Sequence, residues 1–84
     1  MGAIDTMRNG RQLKAARVLA GLTQRQLAGL AHVHANTIRY WERMSHRIGG
    51  YAVRRITDAL AAYGVEVGEE VVDGRHTIVV RRQF

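Results

Sequence analysis

The feature that most constrains this chain is a pair of short amphipathic segments with only three residues between them. Thr23, followed three positions later by Gln26, forms a capping box, and Leu22 before it suits a hydrophobic staple. Leu27, Leu30 and Ala31 then recur at helical spacing, which predicts a short helix with one buried stripe. A break over 32–34 follows, and a second segment is expected over about 35–43. Its core-facing residues would be Ile38 and Trp41, three apart.

The remaining elements fall around this pair. Residues 1–8 show no period and read as a loose tail, within which Met7 offers an alternative start. Asn9 with Gln12 three residues on predicts the cap of a first helix, ended by Gly21, with Leu13, Ala16 and Ala20 on one face. Gly49-Gly50 breaks the chain after a loop over 45–50. A longer helix over about 51–63 follows, with Val53, Ile56 and Leu60 on one side and Gly64 as its stop. From Val65 onward β-branched residues dominate, and Asp73-Gly74 is a hairpin turn signal. The expected fold is mainly α, four to five helices with a C-terminal β-hairpin. It divides into a tail (1–8), a helical domain (9–65) and a hairpin extension (66–84).

Length and composition narrow the function. A chain of 84 residues has room for one domain and a modest core, so oligomerisation is a reasonable expectation. Without cysteine there are no disulfides or thiolate metal sites, and four scattered histidines without an acidic cluster predict no metal and no cofactor. No apolar run is long enough to span a bilayer and no N-terminal signal is visible, so no membrane partner is expected and the expected location is cytoplasmic. Paired carboxylates and nucleophile constellations are missing from the pattern, which argues against an enzyme.

The formal net charge of +6 is unevenly placed. Between Thr6 and Thr57 the only acid is Glu42, against Arg8, Arg11, Lys14, Arg17, Arg25, Arg39, Arg43, Arg47, Arg54 and Arg55. A basic half joined to a mixed half is what a polyanion-binding surface requires.

The stretch LTQRQLAGLAHVHANTIRYWER resembles the helix-turn-helix of the Cro/C1-type (Xre-like) phage-repressor family, over roughly residues 11–65. The threonine-glutamine start, the Leu-Ala pair, the turn, the isoleucine and the aromatic before glutamate carry the likeness. The resemblance implies a phage-repressor-like domain that binds double-stranded DNA with the helix beginning near Ala35. It also implies that Gln24 hydrogen-bonds a DNA phosphate, as helix N-termini favour anions in any case. Ser45, His46 and Arg47 would touch backbone from the following loop. Three positions depart from the family pattern: His32 stands where glycine is usual, His34 where a Ser, Thr or Asp cap is common, and Ala35 where many relatives carry a long polar residue.

The residues themselves support a nucleic-acid face. If Ile38 and Trp41 point inward, Asn36, Arg39, Tyr40 and Arg43 share another stripe at i, i+3, i+4 and i+7. Arg39 or Arg43 has two donors for guanine O6 and N7, and Asn36 has the donor and acceptor that match adenine. Ala35 offers only a methyl contact to thymine. The base-reading set is therefore Ala35, Asn36, Arg39 and Tyr40. The phosphate set is Gln24, Arg25, Thr37, Arg43, Ser45, His46 and Arg47. Arg17 shares a face with Leu13 and Ala20, so its guanidinium needs a carboxylate, and Glu42 is the acid available; the two are assigned to structure.

The tail has two readings. An isolated hairpin is marginal in water, so it packs on the helices, pairs with another chain, or both. Val65, Val67, Ile78 and Val80 are the residues expected to be buried there, as a homodimer contact. The functional expectation is a transcriptional regulator binding a palindromic operator as a homodimer. The alternative is an antitoxin or other interaction module whose C-terminal part binds a protein partner.

Overall fold

A computed structural model of the chain describes residues 9–44 and 49–82. The order is α1 (Gly10–Ala20), α2 (Gln24–Ala31), α3 (Ala35–Met44), α4 (Tyr51–Ala62), β1 (Val65–Val72) and β2 (Arg75–Arg82). The expected mainly helical architecture with a terminal hairpin is the one observed, with four helices among the described residues. The proposed tail over 1–8 lies outside them.

Local chemistry sets the boundaries of the first two helices. The Asn9 side chain accepts from the N–H groups of Arg11 and Gln12 at 3.0 and 3.1 Å, and Gln12 Oε1 accepts from the Asn9 N–H. Thr23 Oγ1 accepts from the Gln26 N–H at 3.0 Å, and Gln26 Oε1 accepts from the Thr23 N–H at 2.9 Å. Each box satisfies donors that a helix start leaves unpaired. Gly21 closes α1 in the left-handed conformation, where its N–H reaches the carbonyls of Arg17 and Val18. His32 closes α2 in the same region at φ 58°, and the Val33 N–H returns to Ala28 O at 3.0 Å. A histidine there bears steric strain that glycine would not.

The core gathers one face from each of the four helices and from β1. Leu13, Ala16, Leu22, Leu27, Ala28, Ala31, Ile38, Val53, Ile56, Leu60, Val65 and Val67 are buried together. Trp41 packs at the edge of this cluster, half-buried, and the other buried residue of α3 besides Ile38 is Glu42. Leu30 departs from the expected stripe. It is 43 % exposed, while Leu27, Ala28 and Ala31 are buried, and it lines shallow grooves with Leu22, Gly29 and Tyr63 on one side and Arg55, Asp58 and Ala59 of α4 on the other.

The strands pair antiparallel, with Val67 opposite Val80 and Glu66 opposite Arg81. Asp73 and Gly74 both have positive φ, as a tight two-residue hairpin turn requires. The sheet packs on α1 and α4. Val65 and Val67 are 1 % and 5 % exposed within the single chain, and Val80 is half-buried against the same core. Val65 and Val67, expected above at a homodimer contact, pack within the single chain, where β1 leaves Gly64 directly beside α4. The side chain of Ile78 falls outside the described part. The hairpin thus packs on the helical core through β1.

Candidate nucleic-acid interface

Three helices meet at one carboxylate. Arg17 on α1 donates from Nε to Glu42 Oε2 at 2.7 Å and from Nη2 to Oε1 at 3.0 Å. Its Nη1 donates to the carbonyl of Leu22 at 2.8 Å. The Arg17 and Glu42 side chains are 13 % and 4 % exposed, so the ion pair is largely withdrawn from water. The expected structural pairing of Arg17 with Glu42 is present in the bidentate form that fixes a guanidinium in one orientation.

Gln24, on the first turn of α2, joins the same group. Its Nε2 donates to Glu42 Oε1 at 3.0 Å. The amide carries two N–H donors, so one remains directed elsewhere while the other holds α2 to α3. Sequence reasoning assigned Gln24 to phosphate and missed this bond. Nothing in the local pattern signals it, since its partner lies 18 residues away.

With Glu42 and Ile38 turned inward, the opposite side of α3 faces solvent. Asn36, Arg39, Tyr40 and Arg43 are all exposed, Tyr40 by 48 %. Arg39 Nη1 donates to Asn36 Oδ1, one helical turn away. Ala35 and Thr37 are half-buried, and Ala35 packs against the core, which leaves little of its methyl to meet a base. Arg25 is exposed on the start of α2. Ser45, His46 and Arg47 lie outside the described residues. The first turns of α1, α2, α3 and α4 contain no acid, so the positive ends of their backbone dipoles are not neutralised locally.

The arrangement of α2 and α3 is the decisive geometry: a capped short helix, a three-residue turn with one left-handed residue, and a following helix with a buried face and a cationic face. A family model described as a helix-turn-helix domain matches residues 10–69. This chain belongs to the helix-turn-helix domain family. The match extends beyond α4 into β1, consistent with the packing of that strand on the helices. Comparison with curated proteins finds no match. In DNA-binding helix-turn-helix proteins the second helix of the motif enters the major groove; α3 is the second helix of the motif here.

No group of three or more histidine, cysteine, aspartate or glutamate side chains suited to a metal ion occurs among the described residues. No helix among them is long and apolar enough to cross a membrane.

Proposed function

We propose that this protein is a sequence-specific transcriptional regulator of the Cro/C1 (Xre-like) type that binds a palindromic operator as a homodimer. The observation that carries the reading is the exposed Asn36–Arg39–Tyr40–Arg43 face of α3, backed by a helix whose other side is locked through Glu42. Asn36, Arg39 and Tyr40 face base edges in the major groove. Arg43, Arg25 and the second N–H of Gln24 meet phosphates on either side, and Thr37 contributes from the flank of α3. The role of Ala35 is reduced to steric fit. The surrounding positive charge speeds encounter with DNA and makes affinity fall with salt.

A domain of this size gains affinity and specificity by placing two copies of α3 about one DNA turn apart, ~34 Å, which is why a dimer belongs to the proposal. Occupancy of such a site acts on transcription by blocking or recruiting polymerase. The concentration of the protein, or a protein partner, then sets the response.

Selection of bound sites from random duplexes tests this reading. A half-site, repeated with two-fold symmetry at a fixed spacing, is expected. Arg39→Ala should then lose about 1–3 kcal/mol of discrimination between the selected site and random DNA. An equal loss on both would make Arg39 a phosphate contact, and recovery of no preferred sequence would defeat specific regulation.

A further inference from the structure

The hydrogen bond from Arg39 to Asn36 changes what the reading face can recognise. An asparagine that reads adenine presents its Oδ1 to the N6 amino group and its Nδ2 to N7. Here Oδ1 already accepts from Arg39, and the guanidinium beside it brings a positive charge to the place where adenine would bring its own N–H donors. What the pair presents outward is mainly donors, the Nδ2 hydrogens of Asn36 and the remaining N–H groups of Arg39, while the second lone pair of Oδ1 sits beside the guanidinium charge. The matching surface is one of acceptors, and guanine, with O6 and N7 in the major groove, is the base that supplies two together.

From this geometry we infer that Asn36 is a positioning residue for Arg39, and that the pair reads guanine as a unit instead of Asn36 reading adenine on its own. The inference rests on α3 being the DNA-facing helix. Arginine is long and flexible, and an exposed side chain of that kind loses rotamer freedom when it binds a base edge. A hydrogen bond to a neighbour one turn away supplies part of that ordering beforehand and points the planar fork in one direction. Exposure of both residues means that substituting either leaves the core intact.

The test uses the full chain on the duplexes it selects, with four proteins: the unaltered chain, Arg39→Ala, Asn36→Ala and Asn36→Asp. Arg39→Ala identifies the position at which guanine preference is lost. Asn36→Ala should weaken the guanine-over-adenine preference at that same position by about fivefold or more, the lower end of what one bidentate contact contributes. Asn36→Asp retains an acceptor for Arg39 and should retain the preference, while its negative charge weakens binding to every duplex. Replacing that guanine by 7-deazaguanine removes N7 and should cost the unaltered chain more than it costs Asn36→Ala. The inference is overturned if Asn36→Ala keeps the guanine preference, or if it abolishes an adenine preference at a neighbouring position. Either result leaves α3 as the reading helix, since the Arg39→Ala effect would stand. A chain that shifts no duplex at low salt removes the regulator reading and this inference with it.

Discussion

Glu42 shows how much a single side chain carries here. Its two carboxylate oxygens receive three donors, from Arg17 Nε and Nη2 and from Gln24 Nε2, and water has little access to them. Removing one partner of such a pair strands the other, whereas replacing both with apolar groups relieves the desolvation on each side. Glu42→Ala is expected to destabilise the fold by about 3 kcal/mol in urea unfolding, and Arg17→Met with Glu42→Leu to recover most of the loss. A single variant as stable as the unaltered chain would show that the triad does not hold the helices. The pairing of Arg17 with Glu42 was legible in the sequence because a cation on an apolar face needs an acid and the basic half contains only one. The participation of Gln24 was not, since an amide at a helix start is at home there without any partner.

At the scale of elements, the start of α1 and the end of α3 come into close backbone contact. A Cβ at Gly10 would stand 1.8 Å from the Trp41 carbonyl oxygen, a backbone atom that cannot swing aside. Gly29, inside α2, has open space around it. Alanine improves an unhindered helix interior by about 1 kcal/mol, so Gly29→Ala should raise the melting temperature. Gly10→Ala should lower it, because separating α1 from α3 costs about 1–3 kcal/mol. Equal behaviour of the two in thermal unfolding would contradict the close contact. The contrast explains what the sequence disclosed. The caps at Asn9 and Thr23, the stop at Gly21 and the Asp73-Gly74 turn depend on residues within four positions of one another. The Gly10 approach and the exposure of Leu30 depend on how finished helices are laid together, which local spacing does not encode.

For the whole molecule, the hairpin is part of the fold before it is anything else. Val65→Ala should cost about 2 kcal/mol of stability, independent of protein concentration, because the lost contacts lie within one chain. A concentration-dependent loss, read by unfolding at two dilutions, would return Val65 to an interface between chains. The strands also differ in charge: β1 carries Glu66, Glu69 and Glu70 without a cation, and β2 carries Arg75, Arg81 and Arg82 without an acid. Pairing either strand edge with its own copy across a two-fold axis brings like charges together, which is unfavourable. Within the hairpin the register instead sets Glu66 against Arg81. A homodimer on a palindrome would accordingly be built from a surface other than these strand edges. The regulator proposed above requires the exposed cationic side of α3 to enter the DNA major groove. Titrating the isotopically labelled chain with duplex DNA at low salt, and following amide resonances, tests this most directly. The largest shifts are expected at Asn36, Arg39, Tyr40 and Arg43, with smaller ones at Gln24 and Arg25. Shifts confined to β1 and β2, or none at all, would contradict it.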